Sequence, residues 1–213
     1  MTSLTQTVKP GFFKRNQWRL ILISALLLIV SVLAWRYYES RYPSWYEEVR
    51  LSDGRIITIH QKREYDENYG TSQSWVTIDL PELGGKRVWH SRLMPQRVDV
   101  VDGKVYVFGV PRGDRQYAYY RDPKNFMVGF LWSANDFNRI PFVQIPQAIR
   151  LEENTYPCVP TDRSSVVSIG EKNKKWCEPM GDEKQFVKQI NLSEYQAIAV
   201  RYSRRSGGTP ISE

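Results

Sequence analysis

From Leu20 to Trp35 no side chain is charged, whereas after Glu39 apolar residues come in short alternating stretches separated by Gly, Pro, Asp and Asn. Sixteen helical residues at about 1.5 Å each reach roughly 24 Å, short of a hydrocarbon core of about 30 Å. Trp18 on one side and Trp35, Tyr37 and Tyr38 on the other supply amphipathic rings for the two headgroup regions, and Trp18 to Tyr37 spans about 30 Å of helix. The pattern predicts a membrane-spanning helix over residues 18–38, in contact with the lipid bilayer. A buried soluble helix would need partners around all its faces, and the rest of the chain offers few helical patterns. A cleaved export signal is the competing reading, with Val32-Leu33-Ala34 permitting a cut after Ala34. The length of the apolar run and the segment Trp35-Arg36-Tyr37-Tyr38 favour an uncleaved anchor.

The alternating stretches predict an all-β domain. In "RVDVVDGKVYVF", Arg97 to Phe108, Asp102-Gly103 is the dipeptide of a type I′ turn, whose central residues both take positive φ. A two-residue loop there pairs Val101 with Lys104, Val100 with Val105 and Val98 with Val107. The four valines Val98, Val100, Val105 and Val107 then form the core face, with Arg97, Asp99, Tyr106 and Phe108 opposite. A second hairpin is expected at Asp53-Gly54, pairing Leu51 with Ile56 and Val49 with Thr58, which would put His60 on the buried face.

Trp75 to Leu80 alternates with Val76, Ile78 and Leu80 inward, and Pro81 to Gly85 turns the chain toward a strand at Lys86 to His90. Gln116 to Arg121, Phe126 to Trp132 and a short segment before Pro141 read as further strands. About eight strands result, as a meander closed into a sandwich, a barrel or a strongly curled sheet. Glu64 to Ser74 reads as a polar loop. Phe186 to Tyr202 is ambiguous, with Ser193 and Gln196 able to cap a helix, but its alternation favours a strand. Residues 203–213 lack a periodic apolar pattern and read as a disordered tail.

Charge refines this division: a basic tail at residues 1–17, the helix at 18–38, an extracytoplasmic domain at 39–202, and the tail. Lys9, Lys14, Arg15 and Arg19 precede the apolar run and no acidic residue occurs before Glu39, which predicts a cytoplasmic N-terminus. The 30 Lys and Arg less those four leave 26 against 23 acidic residues beyond the run. That near balance and the lack of a nucleic-acid-binding motif argue against a nucleic-acid partner. Juxtamembrane Arg36, Arg41 and Arg50 could rest near anionic headgroups or be ordinary solvated charges.

The two cysteines, Cys158 and Cys177, lie beyond the predicted span and are expected to form one disulfide, closing a loop of about 20 residues. Neither His60 nor His90 has ligand-like spacing, so no metal or cofactor site is predicted. No nucleophile elbow, P-loop, dinucleotide fingerprint or zinc-protease motif occurs, and no catalytic residue is assigned. Asp79, Asp99 and Asp136 read as solvated carboxylates on turns and polar strand faces. For binding, the aromatic and guanidinium cluster of Arg112, Arg115, Tyr117, Tyr119, Tyr120 and Arg121 is the candidate group.

The segments "VDVVDGKVYVFGV" and "FLWSANDFNRIPFVQIP" resemble the Asp-Gly hairpin and the aromatic, turn, Arg-Ile-Pro run of uncharacterised bacterial single-pass envelope proteins. The resemblance covers roughly Leu51 to Arg150 and carries no catalytic residue. It implies a bacterial inner-membrane protein with its domain in the periplasm. The expected function is non-enzymatic binding or assembly with an envelope protein partner. The alternatives are an envelope hydrolase using a carboxylate or histidine, and an anchored immunity or defence protein.

Overall fold

The computed structural model describes residues 11–66, 70–111, 113–121, 123–150, 152–172 and 192–204, and the chain divides into two compact units after Ser40. The first unit holds most of helix α1, Gly11–Arg41. Its segment Gln17–Arg41 is long and apolar enough to cross a membrane, with a mean hydropathy of 2.2 and no part of it buried. Leu22, Leu27 and Leu28, on different sides of the helix, are all more than three-fifths exposed. An apolar surface exposed all round suits lipid and does not suit a soluble core helix.

The second unit contains eight strands, β1 Ser44–Arg50, β2 Ile56–Asp66, β3 Gly70–Leu80, β4 Gly85–Ser91, β5 Met94–Val101, β6 Lys104–Val110, β7 Val128–Ser133 and β8 Asp136–Ile140. They form two antiparallel four-stranded meanders, β1-β2-β3-β4 and β5-β6-β7-β8. Val49, Ile59, Val76, Ile78 and Trp89 of the first sheet share one buried core with Val98, Val100, Val105, Val107 and Phe130 of the second. Trp89 and Phe130 meet edge to face across the two layers at 5.7 Å. Of the three closures compatible with the strand pattern, the packing is a two-sheet sandwich.

The β5–β6 register is the one the turn dictates: Val101 opposite Lys104, Val100 opposite Val105, Val98 opposite Val107. Asp102 and Gly103 take φ of 51° and 71°, as a type I′ turn requires. Both faces of this hairpin are buried, however. Tyr106 and Phe108 enter a second core with Tyr117, Phe126, Ile145, Ile149 and Ala199, contributed by segments that cover the outside of the second sheet.

That covering layer corrects two expectations. Residues 116–121 are not a strand: helix α2, Asp114–Tyr119, occupies most of the segment, with Asp114 in its first turn where the helix dipole favours an acid. The described end of the 186–202 segment is helix α4, Leu192–Ser203, rather than a strand. Helical spacing turns Leu192, Ile198, Ala199 and Tyr202 onto the second core, a stripe that alternation would have split between two faces. Residues 186–191 and 205–213 lie outside the described residues.

Two further corrections concern the first sheet. Glu64–Asp66 and Gly70–Ser74 are strand rather than loop, paired from Glu64 opposite Gln73 to Asp66 opposite Gly70 with one bulge. At Asp53-Gly54 the loop has five residues, not two, because Arg50 pairs with Ile56 and Val49 with Ile57. Leu51 is buried inside this loop, accepts a bond from Gly54 N and donates its own N–H to Arg55 O. One position of slip inverts β2: Ile57 and Ile59 face the core, while Ile56, Thr58 and His60 face outward.

Candidate functional site

Of the tyrosines singled out by sequence, Tyr120 packs into the first core and Tyr117 into the second. Tyr117 and Tyr120 are each 2% exposed. Tyr117 packs on Phe126 and Tyr202, and Tyr120 pairs its hydroxyl with Ser91 Oγ at 2.8 Å. Tyr119 meets Tyr120 edge to face at 5.0 Å and is half-buried. Arg115 and Arg121 are exposed, and Arg112 lies outside the described residues.

A different surface collects accessible chemistry, namely the outward face of the first sheet. Its parity follows from the inward residues: with Trp45, Glu47 and Val49 in, and Ile59, Gln61 and Arg63 in, the intervening side chains point out. The register then aligns two rows across four strands. One runs Ser44, Lys62, Trp75, His90; the other runs Tyr46, His60, Thr77, Val88.

Trp75 and His90 stack in parallel at 4.7 Å, and Tyr46 and His60 meet at the same separation, tilted. The Lys62 ammonium lies 5.1 Å from the Tyr42 ring and 5.4 Å from the Trp75 ring, within cation–π range. Tyr46, Ile56 and Val88 add exposed apolar area on the same side. Both histidines of the chain therefore sit on one face, a grouping hidden from sequence by the misplaced β1–β2 loop.

Burial, reinforced by Lys86 and Lys62, pulls the His60 imidazole below its ordinary range; burial and Arg92 do the same to His90. Cations thus lie near both rings. Glu64 is the acid at the Tyr42 end. Burial alone would raise it, but bonds from Gln73 at 2.7 Å and Arg41 at 2.9 Å outweigh this and hold it below the usual carboxylate range. His90 Nε2 is bonded to the Gln73 amide oxygen at 2.8 Å, so that ring nitrogen addresses an amide rather than a nucleophile.

Behind this face the sandwich buries charge. Asp99, expected to be solvated, is fully buried: Arg97 Nε donates to it at 2.8 Å and Ser52 Oγ at 2.9 Å. Glu47, also fully buried, accepts from Gln61, from Tyr156 N at 2.7 Å and from the Lys172 ammonium at 2.6 Å. Lys172, in the short helix α3, Ile169–Lys172, also donates to Asn154 O at 2.8 Å. Its pKa is pulled down by burial despite the Glu47 charge. Arg63 reaches Tyr156 O at 2.7 Å and lies over the Trp45 ring.

These bonds fix residues 152–172 along the β1 side of the sandwich, where Val167 also makes a parallel bridge with Glu47. Cys158 lies there, packed with Trp45, Tyr156 and Val167; Cys177 is outside the described residues. A pocket of about 80 Å³ lined by Tyr156, Asp162, Ser165 and Glu171 is far below the roughly 300 Å³ of an ordinary small-molecule site.

Among the described residues no group of three or more His, Cys, Asp or Glu is placed to hold a metal ion. The arrangement offers aromatic faces, a cation held between rings, and two titratable imidazoles: groups for recognition by contact and charge. Comparison with protein-family models, curated proteins and solved structures finds no match to this chain.

Proposed function

We propose that the chain is a single-pass inner-membrane protein of a bacterial envelope, with its N-terminus in the cytoplasm and its β-sandwich in the periplasm. In this reading it is a non-enzymatic binding or assembly module. The observation that carries the binding role is the outward face of the first sheet. The second sheet is covered on its outside by α2, α4 and the segments carrying Phe126, Ile145 and Ile149, whereas the first keeps Tyr46, Ile56 and Val88 exposed beside Lys62, Trp75 and the two histidines. Aromatic residues beside a positive charge are the residue types that concentrate binding energy in contact surfaces.

The basic residues before the span support the orientation. A Cys158–Cys177 disulfide belongs to the same proposal, because an oxidising compartment would allow the bond. The resemblance of the Asp-Gly hairpin and Arg-Ile-Pro segments to bacterial envelope proteins points the same way.

Two measurements test this. A reporter fused after Glu213 is expected to be active only if it is of a kind that works outside the cytoplasm, and the protein should stay in membranes through a carbonate wash. A fragment shortened by about 34 residues would show cleavage after Ala34 and refute the anchor. For the surface, a photo-crosslinking residue at Tyr46 or Thr58 should give adducts in intact cells and one at Arg115 should not. Uncrosslinked monomer from all three positions would refute the assignment of this face.

A further inference from the structure

The outward face of the first sheet reaches, at the start of β1, to Tyr42, the residue directly after the end of α1 at Arg41. Covalent geometry bounds its reach: Tyr38 and Tyr42 are four residues apart, at most about 14 Å even in extended chain. If Tyr37 and Tyr38 sit in the headgroup region, Tyr42 lies at or just above that level. Around Tyr42 the structure assembles Lys62, with Trp75 beside it and His90 stacked on Trp75. An ammonium flanked by Tyr and Trp is the side-chain chemistry of a membrane interface, where the rings take the amphipathic boundary and the cation meets phosphate.

The charges that share this face favour an anionic occupant. Among the described residues, Lys62, Lys86, Arg50 and Arg92 stand on the outward side, with Glu48, Glu64 and Asp79 as the acids. Glu64 is taken up by Arg41 and Gln73, and Glu48 accepts from Ile169 N at 3.1 Å, so two of the three acids are already engaged.

We propose that the anchored end of this sheet face, Tyr42, Lys62, Trp75 and His90, rests on acidic phospholipid headgroups of the leaflet from which α1 emerges. The proposal deepens the binding role assigned to the face and rests on α1 spanning the bilayer. It makes lipid composition a determinant of how the domain is held.

The test uses the full chain in lipid nanodiscs whose headgroups carry a nitroxide quencher. The Trp75 fluorescence is isolated as the difference between wild type and Trp75→Phe, while Trp18 and Trp35 report insertion of the span in both proteins. In discs with about 30% acidic lipid at low salt, Trp75 should be quenched, and Lys62→Gln should weaken the contact equilibrium by about five-fold. Raising salt from about 10 to 150 mM shortens the Debye length from about 30 to 8 Å and should weaken the contact in the wild type.

Quenching of Trp75 to the same extent in zwitterionic discs would overturn recognition of acidic lipid. An unquenched Trp75 beside quenched span tryptophans would overturn the headgroup contact and leave the anchor standing. Loss of quenching in Trp75→Phe as well would overturn the anchor, and the proposal with it.

Discussion

The buried pair Glu47 and Lys172 offers the sharpest check on how the sandwich holds residues 152–172. At 2.6 Å the two charges attract by about 6 kcal/mol at an effective dielectric of 20, but burying them costs several kcal/mol per ion. The pair is therefore worth little net, whereas removing one partner strands the other. Glu47→Gln leaves an ammonium 5% exposed without its counter-charge, and Lys172→Met leaves a fully buried carboxylate and takes the donor from Asn154 O. Each single variant should lose about 3–5 kcal/mol. The double variant should lose less than the sum by about 2 kcal/mol or more, because it removes both charges together. Urea unfolding of the full-length protein in detergent, followed by tryptophan emission, measures all four corners of the cycle. Single losses that add to the double within about 0.5 kcal/mol would show the two charges to be uncoupled and refute the reasoning.

Three further outcomes follow from the same geometry. A Cβ at Gly109 would lie 2.6 Å from the Met94 carbonyl oxygen and 3.0 Å from Leu93 Cβ, so Gly109→Ala should lose about 1–3 kcal/mol in urea melts, and an unchanged midpoint would contradict that packing. His60 and His90 have folded pKa values below the unfolded value, so the unfolded state takes up their protons first, and stability should fall as pH drops below about 6.5. Replacing both by Gln should flatten the stability profile between about pH 6.5 and 5, above the range where Glu64 titrates; an unaltered slope would assign the acid sensitivity elsewhere. If Cys158 and Cys177 are paired, unfolding without reductant should leave both thiols closed to alkylation, and Cys158→Ser should lose up to about 3 kcal/mol; two thiols alkylated without reduction would remove the disulfide.

The sequence by itself determined what depends on neighbours along the chain. The apolar helix follows from an uncharged run with aromatic flanks. The β5–β6 register follows from one dipeptide that accepts positive φ twice, and the inward set Val76, Ile78, Leu80 follows from strict alternation. Alternation gives parity within a strand, but it does not say what covers the strand's other side. Tyr106 and Phe108 are buried because α2, α4 and the segments carrying Phe126, Ile145 and Ile149 pack over them, and helical spacing suits residues 114–119 and 192–203 to that cover although their sequence also fits a strand pattern.

Likewise the face of His60 depended on whether the Asp53-Gly54 connection holds two residues or five, a choice made by the burial of Leu51. The same slip turned outward a sheet face that local pattern had turned inward, while Tyr117 and Tyr120 of the cluster that sequence placed on a strand are buried. The buried carboxylates were least legible of all. Glu47 and Lys172 stand 125 positions apart, and a charge reads as solvated until the fold brings its partner to within 2.6 Å. Short-range pattern is set by the two or three residues that share a turn or a pleat; the partner of a buried charge is set by the closure of the whole sandwich.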